Sequence, residues 1–487
     1  MELPAPPLSD ILALWPEILI AAAACLALIV DIFTRPNQKH LIGWGALGVS
    51  VLVLVLMLGI SAPGTIVFSG MFFADSYTTF FRALFLVATA LTVLVSLRYL
   101  DDEASQQGEY YALLLFATVG MMMMAGGADL ITIYLGLELM SLSTYVLAGF
   151  IRRDVTSTEA AVKYFLMGAF TSGILLYGLA LIYGLTGTTN LEGVAQGLAG
   201  ISLENPALIL GVILLVAGFG FKVAAVPFHM WAPDAYEGAP TSVTAYMSSA
   251  VKAAAFAGLA RVFVIALFPA TEHWQTLWWV TAALTMILGN VVAIAQTSLK
   301  RMLAYSSISH AGYVLIGVIA ASKLKGIGLS SALFYLFVYT FTTMGTFSMI
   351  ILLTHRGFRG DHISDFTGLG RSHPFQAMMY VVFFLSLAGI PPTAGFVGKL
   401  VVFRAAIEAG YVVLAIIGVV TSAIAAYYYF MVIKTMFIDE RTTAPPELST
   451  SRPLAIGLGV MVVGTLIFGI FPNLILKFAE RSIQPFL

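Results

Sequence analysis

Four charged residues lie near the middle of long apolar segments, namely Glu138, Lys222, Lys252 and Lys399. A charge at the centre of a bilayer costs about 2.5–3.5 kcal/mol on insertion scales, so each of these residues needs a partner or a function. A lysine in a low-dielectric interior can release its proton near neutral pH. Glu138 and Lys222 could form a static ion pair. Because three lysines share one central carboxylate, however, the pattern favours a relay that moves protons.

Four further residues are candidates for such a relay or for its approach. His310 stands in mid-helix among hydroxyl side chains, in LAYSSISHAGYVL. His229 lies at an inner helix end, where it is either a structural cap or a site of proton uptake. Lys163 lies nearer the inner end of its segment, and Glu159, four residues earlier, could pair with it on the helix surface. The fourth candidate is Lys300, at the start of the tenth span.

The sequence carries no pattern for nucleotide, metal or redox chemistry on this chain. The segment GFGFKV (218–223) is not a GxGxxG motif and lies inside an apolar span. The single cysteine, Cys25, excludes an iron–sulfur cluster or a CxxC zinc site held by this chain alone. No metal signature uses the histidines. A formal net charge of -1 offers no basic face for nucleic acid. Any redox reaction is therefore expected on another chain.

The composition requires a polytopic all-α integral membrane protein. Of 487 residues, 60% are hydrophobic and 10% are charged, too few charges to cover a water-facing surface. A crossing helix needs about 20 apolar residues. About fourteen such spans are predicted, approximately 11–33, 41–60, 77–99, 109–126, 128–151, 159–186, 207–228, 240–268, 274–296, 300–322, 327–354, 375–407, 411–437 and 453–477.

The seventh and twelfth spans are predicted to be broken helices. Pro227 interrupts one, and Pro391 and Pro392 interrupt the other, each with nearby glycines. Interrupted helices in corresponding halves are typical of an ion pathway in transporters. A lysine accompanies each break, Lys222 and Lys399, and the two are separated by 177 residues.

A similar separation, 172 residues, divides Glu138 from His310. The two spacings together indicate a five-helix unit that recurs. An odd number of helices per unit inverts the second copy in the membrane.

The distribution of lysine and arginine predicts the orientation of the chain. With the N-terminus outside, the inner loops hold thirteen of these residues, Arg356 and Arg359 among them, and the outer side holds four. Inner loops are the more basic ones, so both termini are predicted on the outer, periplasmic side. No linker divides the chain. The polar stretches 354–373 and 439–452 are predicted to be a connecting loop and a mobile loop on the inner side.

The segment 218–254 resembles one membrane-protein family closely. Its pattern FK..AVPFH.W.PD.YEGAPT..TA......K is similar to subunit N of the proton-pumping NADH:quinone oxidoreductase, respiratory complex I, one of the antiporter-like subunits. The segments QTSLKRMLAYSSISHAGY (296–313) and SLAGIPPTAGFVGK (386–399) support the likeness, which extends over the whole chain. The residues YEG at 236–238 resemble subunit N rather than its sister subunits M and L. The chain is also too short for the lateral helix of subunit L.

The resemblance implies fourteen transmembrane helices with two inverted five-helix repeats, at about helices 4–8 and 9–13. The segments of this single membrane domain, 1–487, are then 1–105 with three helices, 106–270 as the first repeat, 271–437 as the second, and 438–487 as a loop and the last helix.

The resemblance also implies a role for each relay residue. Glu138 matches a fifth-helix glutamate that controls Lys222 on the seventh helix. Lys252 matches the eighth-helix lysine that links two half-channels, and Lys399 a twelfth-helix lysine near the outward exit. When quinone reduction elsewhere draws Glu138 away, the Lys222 proton passes towards Lys252 and on to Lys399.

Two residues receive less direct roles from the resemblance, which also implies partners. His310 is the candidate for the tenth-helix connection, and Lys300, at the inner start of that helix, for a position near proton uptake. NADH, FMN, iron–sulfur clusters and quinone are expected on partner subunits, with no cofactor here. The expected surroundings are sister antiporter-like subunits and the lipid of a bacterial plasma (inner) membrane.

Three relatives and one unrelated class remain as alternatives at this point. A multi-subunit cation/proton antiporter and a membrane-bound hydrogenase share the fold and the Glu–Lys pair. A ferredoxin-fed photosynthetic-type complex uses a close relative of this subunit. A structural membrane scaffold without an ion path predicts that neutralising the four central charges affects assembly only.

Overall fold

Helices make up nearly all of the chain in a computed structural model that describes residues 7–59, 64–354, 360–441 and 447–487. In chain order the first half comprises α1 (Leu8–Ala13), α2 (Trp15–Phe33), α3 (His40–Leu58), the strands β1 (Thr65–Val67) and β2 (Phe72–Ala74), α4 (Ser76–Asp102), α5 (Gly108–Gly126), α6 (Leu130–Ala148), α7 (Val155–Thr186), α8 (Leu191–Leu198), α9 (Pro206–Lys222) and α10 (Trp231–Gly238).

The second half continues with the same helical pattern. Its helices are α11 (Thr241–Tyr246), α12 (Lys252–Arg261), α13 (Thr271–Ala293), α14 (Leu299–Ala321), α15 (Lys325–Leu353), α16 (Leu369–Ser372), α17 (Pro374–Ala388), α18 (Ala394–Glu408), α19 (Val412–Phe437), α20 (Arg452–Ile470) and α21 (Asn473–Ser482). Wider π-turns at Met247–Val251 and Val262–Ala266 flank α12, so that Thr241–Ala266 forms one continuous span.

Capping side chains explain where several of the long helices begin. Asp75, Asp129, Asp154, Asn205 and Ser298 each accept a hydrogen bond from a backbone N–H in the first turn of α4, α6, α7, α9 and α14 respectively. The first N–H groups of a helix have no partner within the helix, so these side chains fix its start.

The two predicted interruptions are confirmed. The seventh span divides into α9 and α10 between Lys222 and Trp231, and the protein itself satisfies backbone groups freed there. The indole Nε1 of Trp231 donates to the Phe221 carbonyl at 2.9 Å, and the Val226 N–H donates to Thr285 Oγ1 at 2.9 Å. Broken backbone at membrane depth is tolerated where protein supplies such partners. The twelfth span divides in the same way into α17 and α18.

The described residues contain twelve helices long and apolar enough to cross a membrane. Two shorter apolar helices, α9 with 17 residues and α17 with 15, are the first halves of the broken spans. The all-α membrane fold is therefore confirmed, whereas the count of fourteen crossings and the segment boundaries at 105, 270 and 437 stay predictions.

The structure differs from the prediction at several short elements, and the short helices α8 and α16 were not predicted. A short antiparallel hairpin, β1 with β2, stands where no strand was expected. The last predicted span ends early, because α20 stops at Ile470 and α21 begins after Pro472. Arg356 and Arg359 of the predicted inner side, and parts of the loops at 354–373 and 439–452, lie outside the described residues.

The most deeply buried helices carry or contact the candidate relay. The apolar windows of α4, of Thr241–Ala266 and of α14 are almost wholly buried, and that of α15 is buried throughout. By contrast, α2 and α3 expose most of their apolar side chains, as lipid-facing helices do. Lys252 on α12 and His310 on α14 therefore lie at the centre of the molecule.

Candidate functional site

Glu138 and Lys222 lie close together without forming a direct ion pair in the described chain. Lys222, the last residue of α9, is 5% exposed, and its ammonium donates to Ser141 Oγ at 2.8 Å and to Tyr145 OH at 3.2 Å, both on α6. Glu138 instead accepts a 2.5 Å hydrogen bond from Ser172 Oγ of α7. The two charges act on each other only at longer range. The static ion pair considered from the sequence is thus not what the structure has.

A row of aromatic rings separates Lys222 from Lys252. The Lys222 Nζ lies 5.7 Å from the first ring and the Lys252 Nζ lies 5.9 Å from the last. Neighbouring ring centroids are 4.5 to 5.7 Å apart along the row Tyr145, Tyr164, Trp231 and Tyr236. Cations are attracted to such ring faces, so the row is a favourable surface for the ammonium groups at its two ends.

Lys252 ties α12 to α14 through one serine. Its side chain is 2% exposed, and Nζ donates to the Ser307 carbonyl at 2.7 Å and to Ser307 Oγ at 2.5 Å. The π-turn at Met247–Val251 ends directly before Lys252. Such turns widen a helix locally and are frequent at functional sites.

His310 occupies the space between two of the buried lysines. Its imidazole is 3% exposed, with Nδ1 2.7 Å from Tyr335 OH and Nε2 3.5 Å from Tyr429 OH. Lys252 and Lys399 both lie near enough for their charges to act on this ring. The structure thus brings these three predicted residues into one buried group.

Lys399 binds the end of the first half of the broken twelfth span. Its side chain is 4% exposed, and Nζ donates to the carbonyl oxygens of Leu387 at 2.8 Å and Ala388 at 3.0 Å, and to Ser422 Oγ at 2.6 Å. The last carbonyls of a helix lack partners within the helix and form its negative end, where a cation is stabilised. The break between α17 and α18 therefore explains why a positively charged side chain is stable at position 399.

Lys163 lies apart from the buried lysines, in an inner charged cluster formed by Glu159, Lys163, Asp234, Glu237 and Arg301. Lys163 pairs with Glu159 at 2.7 Å, as the four-residue spacing indicated, and with Asp234 at 2.9 Å. Arg301 pairs with Asp234 and with Glu237, both at 2.8 Å. These partly exposed side chains line a cavity of about 410 Å³.

Asp234 is the centre of the inner charged cluster. Partial burial raises the pKa of its carboxyl, but the hydrogen bonds and charges of Lys163 and Arg301 outweigh burial and hold the pKa below its usual value. The carboxylate consequently stays ionised at physiological pH and joins α7 to α14 through α10.

Lys300 and His229 flank the second half of the broken seventh span. Lys300 is 5% exposed and donates to the Ala239 carbonyl, directly after α10, at 2.7 Å. His229 precedes α10 and is 7% exposed, and its Nδ1 has no hydrogen-bond partner within the described residues. Lys300 therefore holds the same kind of helix-end carbonyl as Lys399.

Sequence reasoning missed the neutral groups that hold the buried charges. Ser307 stands three residues before His310, and Tyr335 and Tyr339 are four residues apart on α15, so each pair shares a helix face. These spacings were available from the sequence, although the pairing of the faces was not.

Comparisons with known proteins agree with this architecture. Residues 127–425 match the family described as NADH:quinone oxidoreductase/Mrp antiporter, TM. The chain is 44% identical over 472 residues to NADH-quinone oxidoreductase subunit N of Trichlorobacter lovleyi, with 96% of each chain covered.

Solved structures show the same fold. A chain of respiratory complex I from Thermus thermophilus with bound aureothin is 31% identical and superposes with a TM-score of 0.80, covering 95% of this chain and 98% of that one. A chain of the Mrp complex from a Dietzia species reaches 0.81 at 23% identity, with 97% of each covered, which shows the shared fold alone. The alternatives to complex I are thus not favoured, and the chain belongs to the NADH:quinone oxidoreductase/Mrp antiporter family, within its NADH-quinone oxidoreductase subunit N branch.

Proposed function

We propose that the chain moves protons across the membrane as an antiporter-like subunit of NADH-quinone oxidoreductase, driven by quinone reduction elsewhere in the complex. One observation carries the proposal. The hydrogen-bond acceptors of Lys222, Lys252 and Lys399 are hydroxyl and carbonyl oxygens, with no carboxylate among those given above. A buried lysine that only holds helices together is typically paired with a carboxylate, because an unpaired buried charge is strongly destabilising. When a lysine is bound only by neutral acceptors, it can release its proton without leaving a buried negative charge that has lost its partner. Such a lysine can therefore alternate between its charged and neutral forms.

Glu138 controls the first step of the proposed relay. Its negative charge stabilises the Lys222 ammonium from beyond hydrogen-bond distance. Movement of Glu138 away from Lys222 weakens this attraction, and the Lys222 proton then passes along the aromatic row to Lys252. Proton transfer along the row requires bound water, since aromatic rings alone do not carry protons.

The second half of the relay begins at Lys252. Its proton passes by His310 to Lys399 and leaves on the outer side of the membrane. The carboxylates of the inner charged cluster attract protons to the inner surface by their charge, with Lys163 at the entrance and Lys300 and His229 beside the path to Lys222. The accessible cavity in this cluster supports that assignment.

The same proposal includes the surroundings of the chain. The membrane is the bacterial plasma membrane, with both termini on the periplasmic side and lipid against α2 and α3. Sister antiporter-like subunits adjoin the chain, and NADH, FMN, iron–sulfur clusters and quinone bind to other subunits. The two repeats at 106–270 and 271–437 each supply one half of the path.

Two substitutions of Lys252 in the intact complex test whether this residue must release a proton or must only carry a positive charge. Lys252→Met removes the charge, whereas Lys252→Arg keeps a charge that cannot be deprotonated in a protein. Both variants should lose NADH-driven acidification of inverted membrane vesicles while the complex still assembles. The matched control is Lys434→Met, at a surface lysine paired with Asp439 at 3.0 Å.

Three outcomes would count against the proposal. Full pumping by the Lys252→Arg variant would show that only a fixed charge is needed. Loss of assembly without loss of pumping per assembled complex would indicate a structural scaffold. Proton release that depends on added sodium rather than on NADH would favour the cation/proton antiporter alternative.

A further inference from the structure

Two tyrosines from different helices hold the two nitrogens of His310. Tyr335 of α15 lies 2.7 Å from Nδ1, and Tyr429 of α19 lies 3.5 Å from Nε2. A third tyrosine, Tyr339, stacks on the imidazole with the ring centroids 4.9 Å apart. All are buried, so the orientation of the imidazole ring is fixed from three sides.

The Tyr335 hydroxyl determines which nitrogen carries the proton in neutral His310. Within the described residues, its one hydrogen-bond partner is His310 Nδ1. A buried hydroxyl has a single proton to donate and almost always donates it, so Tyr335 donates to Nδ1. Nδ1 is then the acceptor, and Nε2 carries the N–H of the neutral ring.

The two sides of the imidazole face different lysines. On the Nε2 side, Tyr429 OH is 2.5 Å from Ser306 Oγ, and the next residue, Ser307, accepts from Lys252. On the Nδ1 side, a Cβ on Gly398 would lie 3.0 Å from the Tyr335 ring, so this tyrosine packs against the residue before Lys399. The Lys399 Nζ lies 5.1 Å from the ring of Tyr313, whose centroid is 6.3 Å from that of Tyr335.

The resulting tautomer cannot accept a proton from the Lys252 side. A proton arriving from Tyr429 meets Nε2 that is already protonated. Nε2 can accept it only in the other neutral tautomer. That tautomer forms when Nε2 has given its proton to bound water, the Tyr335 hydroxyl has turned away and Nδ1 has taken a proton from bound water. Nδ1 then releases its proton towards Lys399 as Nε2 takes the new one. The Tyr335 hydroxyl can turn towards Thr342 and Ser386, whose side chains line the same narrow cavity.

We infer that Tyr335 is a positioning residue that keeps His310 closed to protons from both sides until its hydroxyl turns. The neutral ring is already protonated at Nε2, towards Lys252, and the Tyr335 hydroxyl occupies the lone pair of Nδ1, towards Lys399. The inference rests on the proposed function and adds to it the element that prevents passive leakage between the two halves of the relay. Tyr335 acts through His310 and needs no contact with either lysine ammonium.

The experiment uses inverted vesicles that hold the intact complex. Tyr335→Phe removes the hydroxyl and keeps the ring beside Gly398. Tyr380→Phe is the matched control, because Tyr380 is wholly buried on the adjoining α17 and its hydroxyl has no partner within the described residues. The measurement is the rate at which an imposed pH gradient, acid inside, decays in the absence of NADH, together with the protons pumped per NADH in a separate assay.

The expected result is a decay about fivefold faster for Tyr335→Phe, the factor that one lost hydrogen bond of average strength gives. Tyr380→Phe should decay like the parent. Combining Tyr335→Phe with His310→Phe should restore slow decay, because the leak passes through the imidazole. A general packing defect would persist in the double variant.

Three results would overturn the inference. One is an unchanged decay in Tyr335→Phe, and another is a fast decay that persists when His310 is also replaced. If Tyr335→Phe fails to assemble, Thr342→Val tests the same idea, since loss of an alternative hydroxyl acceptor should slow pumping. Normal pumping by the Thr342→Val variant would be the third result that overturns the inference. Normal pumping by the His310→Phe variant alone would instead show that His310 is not part of the relay. That result would contradict the proposed function, and it is distinguishable from a failure of the Tyr335→Phe test.

Discussion

Ser172 donates a 2.5 Å hydrogen bond to the Glu138 carboxylate, and it is this hydroxyl, not the Lys222 ammonium, that is the direct partner of the acid. The carboxylate is half-buried, and its hydrogen bond to this neutral donor holds it apart from Lys222. Ser172 is on α7, whose inner end carries Lys163 and Glu159. A movement of α7 would therefore affect both the inner charged cluster and the position of the Glu138 carboxylate relative to Lys222.

The Ser172→Ala substitution should lower proton pumping. A hydrogen bond to a charged group contributes about 1.5–3 kcal/mol, so the carboxylate that loses it should move towards the Lys222 ammonium. Lys222 then holds its proton more firmly, and the rate of NADH-driven acidification should fall about tenfold or more.

Ser143→Ala is the control for this change, because Ser143 donates to the Leu139 carbonyl of its own helix at 2.8 Å. Equal pumping by the Ser172 and Ser143 variants would show that the Glu138 hydrogen bond has no part in proton movement.

The Asp234→Asn substitution should slow pumping by the same factor at every pH between about 5 and 8. The pKa of Asp234 in the folded protein is lower than the ordinary pKa of an aspartate, which is about 3.9. The ion pairs of Asp234 are therefore fully formed above about pH 3.9. They are lost only as the pH falls through the lower pKa of the folded protein. Partly exposed pairs contribute at most about 1 kcal/mol each, so stability should change little and pumping by less than about tenfold.

Asp439→Asn, which breaks the exposed pair with Lys434, is the control and should pump normally. A defect of Asp234→Asn that appears only at the acidic end of this range would contradict the assignment, because it would require Asp234 to titrate there.

The Gly395→Ala substitution should destabilise the junction of α17 and α18. A methyl group on Gly395 would overlap the Ser386 carbonyl oxygen, so one helix half has to shift. Overpacking of this kind costs about 1–3 kcal/mol, and less intact complex should remain on a native gel after heating. The shift would also move the carbonyls that hold Lys399.

Gly184→Ala on α7 is a matched helical control, because nothing lies within 4 Å of the added methyl group. That substitution should be neutral or stabilising by up to about 1 kcal/mol, since alanine favours a helix over glycine. Equal heat resistance of the two variants would mean that the α17–α18 junction is loosely packed.

The elements of the fold followed from local patterns. Apolar runs of membrane length placed the long helices, and prolines beside glycines predicted the two breaks that the structure has at α9–α10 and α17–α18. The hairpin β1–β2 escaped prediction because three-residue strands leave too short a pattern. Likewise α21 was merged with α20, since the apolar character continues past Pro472 although the helix does not.

The hydrogen-bond partners within the site could not be predicted in the same way. Tyr335 and Tyr429 lie 25 and 119 residues from His310 along the chain, and only the packing of α14, α15 and α19 brings their hydroxyls to the imidazole. A direct ion pair of Glu138 with Lys222 was one of two interpretations of the sequence, and the sequence could not decide between them because it gives no distance between α6 and α9.

The sequence by itself determined that this is a membrane protein of one family, with charges where lipid-spanning helices do not tolerate them. It could do so because the transfer of a segment from water to lipid depends on that segment's own residues. Only the tertiary structure decided that Lys222, Lys252 and Lys399 bind neutral oxygens, and that Lys163 belongs to a surface cluster instead. A hydrogen bond requires two atoms within about 3 Å, and that distance is set by how separate helices pack.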